Sequence, residues 1–257
     1  MMFTKMKNII LILIFIILMV SGIFAQNIET LMEKGNEAYQ NNKYSEAIEK
    51  YEKIIKQGYI GSELFYNLGN AYFKVNNLGK AILYYEKALK LSPLDEDAAY
   101  NLKIAKARTV DKIKEIPQLF VVRWWNILLS TFNVSGWQII VLVFYFLLLI
   151  SIGFYFLVKN INIQKISFIF GFFNLFAFII SVIILIASYS RETGNNYGIL
   201  QKSAISVKIS PDSQSNDAFV IHEGSKFLIE DKVNNWVKIK LADGKVGWLP
   251  ESSFETI

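Results

Sequence analysis

Few residues of this chain could carry out covalent chemistry, because its 257 residues include no cysteine and a single histidine, His222. Without cysteine there is no disulfide scaffold, no thiol nucleophile and no Cys/His zinc site. His222 is followed by Glu223 and Gly224, and no nucleophile is paired with its imidazole, although general acid–base catalysis needs a positioned partner. We therefore expect a turn at His222 and a non-enzymatic protein without catalytic residues, metal or cofactor.

Amide and aromatic residues, which suit recognition better than catalysis, instead recur with a period of 34 residues over 28–95. Gly and Ala recur where antiparallel helices would approach closely, and tyrosine recurs where rings would fill gaps between helices. The recurring pairs are Gly35 and Gly69, Asn36 and Asn70, Ala47 and Ala81, Ile48 and Ile82, and Tyr51 and Tyr85. The period predicts two helical hairpins, over 28–61 and 62–95.

The second copy resembles the tetratricopeptide repeat signature. It matches that signature at Phe65, Leu68, Gly69, Tyr72, Ala81, Tyr85, Ala88 and Pro93. The first copy departs from it at Leu31, Lys34 and Tyr59. Because two repeats are fewer than usually form a stable stack, we expect a capping helix over 95–114 and a repeat domain over 26–116.

The resemblance to tetratricopeptide arrays implies a concave groove that binds an extended peptide or a partner helix. It places seven residues there: Met32, Asn36, Tyr39, Tyr66, Asn70, Phe73 and Lys74. Related arrays that clamp a terminal carboxylate use basic residues where this chain has Met32, Tyr100 and Ile104. We expect a peptide groove without that clamp, and packing between helices is the alternative role at each position.

Two uncharged segments, 137–158 and 166–189, are each long enough to cross a bilayer, which requires about 20 apolar residues. The loop between them, 159–165, carries Lys159 and Lys165, so the positive-inside rule predicts that it is cytoplasmic. Neither predicted span contains an ionisable residue, which argues against a transporter or a proton relay. We expect the two helices to serve as an anchor.

The N-terminus is typical of a secretory signal peptide over 1–25, with cleavage after Ala25 or, failing that, an uncleaved anchor of the same orientation. Residues 117–136 contain Trp124 and Trp125 and should lie along the interface on the outer, periplasmic side of the membrane that the two helices span. The expected location is a bacterial inner membrane, with both soluble domains on the periplasmic side.

The net charge of +5 does not indicate a nucleic-acid-binding surface. Residues 26–116 contain 14 basic and 13 acidic side chains, and residues 191–257 contain 8 and 9. The excess lies beside the apolar segments, at Lys5, Lys7, Arg123, Lys159 and Lys165. Positive charge there orients a membrane protein, so we expect no nucleic-acid partner.

Residues 197–257 alternate apolar and polar side chains, and we expect about five short strands in a small barrel. The strand segments that the alternation indicates are 204–209, 226–231, 236–241 and 245–249. Hairpin turns are expected at Asn234-Asn235 and Asp243-Gly244. The segment resembles bacterial SH3 domains, which implies a shallow groove for peptides or cell-wall material. Its lining would be Trp236, Trp248, Pro250 and Phe254, with core packing as the alternative for Trp248.

The order of segments, together with the sequence of 67–74 and Arg123-Trp124-Trp125, resembles the BatE member of the bacterial aerotolerance (Bat) operon family. That resemblance implies an envelope complex with von Willebrand factor A-domain membrane proteins and a MoxR-type ATPase, linked to tolerance of oxygen or envelope stress. The expected fold is a multidomain membrane protein with an all-α repeat array, two transmembrane helices and a small all-β barrel. Two functions fit: a membrane-anchored interaction scaffold, or a peptidoglycan-binding sensor or anchor.

Overall fold

The computed structural model of the chain describes residues 28–114, 116–117, 119–194 and 196–257. The predicted signal peptide, 1–25, lies outside the described residues. In chain order the helices are α1, described over 28–40, α2 (Tyr44–Lys56), α3 (Ser62–Lys74), α4 (Leu78–Leu91), α5 (Glu96–Arg108), α6 (Phe120–Ser130), α7 (Val134–Leu157) and α8 (Ile161–Thr193). The strands, all in the C-terminal part, are β1 (Tyr197–Leu200), β2 (Ala204–Lys208), β3 (Asp217–His222), β4 (Lys226–Val233), β5 (Trp236–Leu241), β6 (Val246–Pro250) and β7 (Phe254–Thr256).

Helices α1 to α4 form two stacked hairpins whose repeated glycines are explained by the tyrosines that face them. A Cβ atom on Gly69 would lie 2.7 Å from Cδ1 of Tyr85, and Gly35 faces Tyr51 in the same way. Any larger residue would force these rings, both about 1% exposed, out of the core. The 34-residue period is therefore a period of packing contacts.

The helix predicted over 95–114 is shorter than expected and ends at Arg108. Thr109 Oγ1 donates to the carbonyl of Lys106, and Lys112 Nζ donates to the carbonyls of Ala107 and Thr109, so local side chains satisfy the last turn. Residues 109–114 and 116, which we call the strap, then turn towards the C-terminal sheet. There the backbone N–H of Ile116 donates to the carbonyl of Ala242.

Helices α7 and α8 form an antiparallel hairpin, and both are long and apolar enough to cross a membrane. Only 6% and 17% of their most apolar windows are buried, so they are not core helices of the soluble part. Their bounds differ from the predicted spans chiefly at the start of α8, because Asn160 caps the helix and the expected loop 159–165 shortens to three residues. A seam of small polar residues on α8 faces α7, at Ser167, Asn174, Ser181 and Ser188, each seven residues from the next.

The close packing of α7 against α8 at Ser151 and Gly171 predicts that a designed disulfide between these two positions will lock the hairpin. A Cβ atom on Gly171 would lie 3.3 Å from Cβ of Ser151, near the separation in disulfides. Because the chain has no cysteine, the Ser151→Cys, Gly171→Cys variant should lose most of its thiol reactivity on mild oxidation, with a mass loss of two hydrogens. The control pair Ser151→Cys, Phe172→Cys should stay reduced, since Phe172 is 64% exposed. Equal oxidation of both pairs would contradict this packing.

The C-terminal part is an open seven-stranded antiparallel sheet in the order β3-β2-β6-β5-β4-β1-β7. The prediction of about five strands in a small barrel is wrong in two respects, because the described sheet has seven strands and is open. The predicted turns exist, with positive φ at Asn234 and Gly244. β1 and β7 were not anticipated because strands of four and three residues are too short to show alternation.

The repeats and the sheet are not separate modules, because α4 packs directly on β1. A shared apolar core joins Ala81, Ile82, Leu83, Tyr85, Leu102 and Ala105 to Ile199 and Ile257. Polar contacts surround it: Gly79 N–H donates to Glu223 Oε1 at 2.7 Å, and Lys90 Nζ donates to the carbonyls of Gly194 and Ile257. We call this joined unit, residues 28–114 and 196–257, the head. The head contacts the end of α8 through the hydrogen bond from Lys90 to the carbonyl of Gly194.

Candidate functional site

The strongest candidate site is a groove across α1, α3 and α5, formed by three adjoining depressions. The central one, of about 210 Å³, is lined by Asn36, Tyr39, Gln40, Tyr51, Asn67 and Asn70. It shares Tyr39 and Asn70 with a neighbour of about 270 Å³, which continues over Tyr66, Phe73, Lys74, Tyr85, Asn101 and Ile104. It shares Asn36 with a third, at the start of α1 and α3, which Met32 lines. Together these depressions give an elongated surface suited to an extended chain.

The floor of the groove is a ladder of hydrogen bonds that repeats with the helices. Asn36 Oδ1 accepts from Tyr51 Oη at 2.7 Å and from Asn67 Nδ2 at 3.3 Å. One repeat later, Asn70 Oδ1 accepts from Tyr85 Oη at 2.7 Å and from Asn101 Nδ2 at 2.9 Å. Each asparagine therefore joins the second helix of its own repeat to the first helix of the next.

The tyrosine hydroxyls of this ladder stay protonated, so each can donate its proton to an asparagine Oδ1, which only accepts. Burial, aided by the nearby Tyr39 and Glu63, raises the pKa of Tyr51 to about 12. Burial likewise raises the pKa of Tyr85, with further contributions from Tyr66 and Tyr39. The ladder is therefore insensitive to pH across the range in which proteins normally work.

All seven residues predicted for the groove line one of its three depressions, but they differ in how free they are. Asn36 and Asn70 have their carbonyl oxygens engaged in the ladder. Phe73 lies under the guanidinium of Arg108, 4.7 Å from ring centroid to Cζ. Lys74 is exposed, with its ammonium 6.0 Å from the ring centroid of Tyr44, and is the most accessible of the seven to a ligand.

Sequence reasoning missed Asn67 and Asn101, which complete the ladder. The signal was available, because Asn67 and Asn101 are 34 residues apart, the same period as Asn36 and Asn70. Asn101 lies beyond residue 95, where the two predicted repeats end. Gln40 and Ile104 also border the groove, and they lie 34 residues from Lys74 and Asn70, respectively, although their residue types differ from those of their counterparts.

Removing the hydrogen bonds that one asparagine of the ladder accepts should destabilise the repeats measurably. Asn70→Ala leaves the hydroxyl of Tyr85, which is 1% exposed, without an acceptor, and should lower the free energy of unfolding by about 2 kcal/mol. Gln40→Ala, which removes an exposed amide from the same groove, should change it by less than about 0.5 kcal/mol. Denaturant unfolding of the full chain in mild detergent measures both. Equal effects would contradict a structural ladder.

The residues predicted for a C-terminal ligand groove are only partly brought together. Trp236 and Pro250 are cross-strand partners, and Trp248, two residues from Pro250, pairs with Lys238 and Lys208. These aromatic rings are partly exposed on one face of β5 and β6. Phe254 is elsewhere, on β7, where its ring contacts the buried Phe227 with centroids 5.2 Å apart. The structure therefore groups three of the four residues.

His222 lies at the strap rather than in a catalytic arrangement. Asp111 Oδ1 lies 2.9 Å from His222 Nδ1, while Asp111 Oδ2 accepts from the backbone N–H of His222 and from Ser225 Oγ. The carboxylate thus stands between the imidazole and the hydroxyl, whereas activation of a serine requires the imidazole in the middle. Burial raises the pKa of Asp111, but the hydrogen bonds from Ser225 and His222 outweigh it and hold that pKa below its usual range. The cluster fastens the strap to the turn between β3 and β4.

Comparison with known proteins agrees with the repeat geometry. The sequence profile of the tetratricopeptide repeat matches residues 62–94, which include all of α3 and α4. No curated protein sequence shows a significant match to this chain. The chain therefore contains a tetratricopeptide repeat within a helical-hairpin array, a structure that in general mediates protein–protein interactions.

Proposed function

We propose that this protein is a membrane-anchored scaffold that captures an extended segment of a partner protein in the groove of its repeats. The observation that carries the proposal is the continuity of the three depressions over a rigid hydrogen-bonded floor. A preformed surface loses little conformational entropy when a ligand binds. Confinement to a membrane would raise the effective concentration of partners in the same bilayer, so modest affinities would suffice.

A pair of charge-introducing variants tests the groove without breaking its ladder. Lys74→Glu with Ile104→Glu alters two exposed residues that line the second depression. Lys53→Glu with Ile60→Glu makes the same changes at exposed positions outside the depressions. Crosslinked pull-downs from native membranes should recover specific partners at least about tenfold less well with the first variant only. Equal recovery with both variants, at equal abundance, would contradict binding in the groove.

Membrane anchoring by α7 and α8 is part of this proposal. Its support is their length, their exposed apolar surfaces and the seam that joins them. The orientation, with the head on the periplasmic side of a bacterial inner membrane, rests on the lysines at 159 and 165. Protease added to intact spheroplasts should then digest the head while leaving the short loop between the helices protected.

We further infer that the scaffold serves an envelope complex of the aerotolerance type, with von Willebrand factor A-domain membrane proteins as partners. The support is the resemblance of the whole order of segments to the Bat operon family. Identification of such proteins in the pull-down described above would support this assignment. Their absence from a pull-down that recovers other groove-dependent partners would contradict it.

A second candidate function is binding of peptidoglycan through the C-terminal part, whose motifs resemble bacterial SH3 domains. The specific observation in its favour is the outward-facing set of Trp236, Trp248 and Pro250, with Lys238 beside it. Because the core of this part is shared with α4, the test requires the full chain. Retention on purified sacculi that Trp236→Ala and Trp248→Ala abolish, with the groove variant unaffected, would favour this function over the first.

A further inference from the structure

A cleft of about 690 Å³ separates the strap from the sheet, away from the groove of the repeats. One wall consists of the end of α5 and the strap. The other consists of β1, β4 and the end of β5. Its apolar lining includes Ile113, Ile116, Phe227 and Leu228, and the exposed ring of Tyr197 stands at its side. The cleft is large enough for a small ligand and has a mixed polar and apolar surface.

The charge of the cleft is strongly positive. Among the residues that the structure describes, five lysines line it, Lys106, Lys112, Lys114, Lys226 and Lys240, against one acidic residue, Asp111. Glu86, behind the cleft, pairs with both Lys106 and Lys226 at 2.7 Å and so offsets only one of their two charges. The lining together with Glu86 therefore carries a net charge of +3, which favours an anionic ligand.

Two of these lysines are available to a ligand. Among the described residues, Lys114 has no ion-pair partner. Lys240 Nζ lies 3.7 Å from Glu230, a carboxylate that it shares with Lys238 at the same distance. Lys112, in contrast, is committed to the carbonyls that end α5. Among the described lysines of the cleft other than Lys112, the ammonium groups with the weakest ion pairing are thus those of Lys114 and Lys240, on opposite walls of the cleft.

Both walls lie close to the elements that would contact a membrane. Ile116 precedes α6 by four residues, and Tyr197 follows the end of α8 by four residues. A chain of four residues spans at most about 14 Å, so neither wall can stand far from these helices. α6 exposes Trp124 to 76%, contacts α8 through its end, and has the aromatic character of an interfacial helix. With α6 along the membrane interface, as the sequence predicts, both walls of the cleft would stand within about 14 Å of helices that contact the membrane.

We propose that the cleft binds the phosphate headgroup of an anionic phospholipid, with Lys114 and Lys240 as its ammonium partners. The inference rests on the membrane anchoring proposed above. In this arrangement the phosphate lies between the two walls, and Ile113 and Ile116 contact the less polar glycerol region. Binding adds a further contact between the strap and the sheet and fixes the head relative to the membrane surface.

The test uses the full chain, purified in mild detergent and titrated with phosphatidylglycerol, phosphatidylcholine or inorganic phosphate under native mass spectrometry. Phosphatidylglycerol should be retained in preference to phosphatidylcholine. Lys114→Gln with Lys240→Gln should weaken that retention about tenfold, since each lysine near an anionic lipid contributes a several-fold effect. Lys34→Gln with Lys53→Gln, which removes the same charge at exposed positions on the repeats, should leave it unchanged.

Four results would overturn the proposal, and they separate it from the proposed function. Retention of both lipids alike, or equal loss in both variants, shows that the cleft does not select the headgroup. Equally tight binding of inorganic phosphate, abolished by the same cleft variant, shows a site for a soluble anion. If the chain does not float with vesicles after alkaline extraction, membrane anchoring fails and this inference fails with it. Flotation without selectivity contradicts the cleft proposal alone.

Discussion

Replacing Gly224 by alanine is expected to separate the sheet from the repeats, at a cost of about 2–5 kcal/mol in the free energy of unfolding. Gly224 has a φ of +83°, which costs a residue with a Cβ about 1–2 kcal/mol. That Cβ would also lie 2.7 Å from Cδ1 of Ile82 and 2.8 Å from Cγ2 of Thr109. Overpacking of this kind costs about 1–3 kcal/mol more.

Gly58 provides a matched control for the backbone part of this effect. Its φ is +84°, but a Cβ there would meet no atom within 4 Å. Gly58→Ala should therefore cost only about 1–2 kcal/mol. Hydrogen exchange of α4 and β1 in the full chain should rise much more in the Gly224 variant than in the Gly58 variant. If both variants behave alike, the contact between the repeats and the sheet is not as described.

Replacing Glu86 by glutamine should be the second most damaging change, with a loss of about 2–3 kcal/mol at neutral pH. Glu86 is 9% exposed and bridges Lys106 of the repeats to Lys226 of the sheet. Loss of a buried carboxylate leaves both ammonium groups without a counter-charge, which typically costs 3–5 kcal/mol, and the figure is reduced here because both lysines are partly exposed. Glu33→Gln, at an exposed position of α1, should change stability by less than about 0.5 kcal/mol.

The pH dependence of the stability that Glu86 contributes gives an independent check. Burial raises the pKa of Glu86, but the charges of Lys226 and Lys106 outweigh burial and hold that pKa below 4.5, its ordinary value. A carboxylate with a lowered folded-state pKa stabilises the protein above its unfolded pKa and ceases to do so as pH falls through the folded value. The stability gap between wild type and Glu86→Gln should thus be full at pH 6–7 and shrink below pH 4.5. A gap that is constant with pH would contradict the ionised bridge.

Features that depend on local, repeated contacts could be predicted from the sequence. The contact between Gly69 and Tyr85 recurs as the contact between Gly35 and Tyr51. The spacing of these residues therefore indicated the hairpins and the position of the groove. The two apolar helices could be predicted for a similar reason, because length and composition suffice. The position of the groove could be predicted because the helical period determines which residues share one face of each helix.

Features that depend on contacts between distant segments could not be predicted. Helix α5 ends at Arg108 because the chain continues there as the strap. The course of the strap is fixed by the hydrogen bonds that Asp111 accepts from His222 and Ser225, which are more than a hundred residues away in the sequence. Ile199 has no local signal that it packs on α4. An aromatic residue near the end of a sheet suits either a surface groove or the core, and only the position of Phe227 shows that Phe254 packs inwards.

The most direct test of the account is site-specific photo-crosslinking in native membranes. A photoreactive amino acid at position 40 or 74, each exposed and each lining one depression of the groove, should yield discrete adducts with a partner protein. The same group at position 53, exposed on α2 outside the depressions, should yield none. Adducts from 40 and 74 alone are the predicted result. Adducts from 53 alone, or the same adducts from all three positions, would contradict a scaffold that binds through its groove.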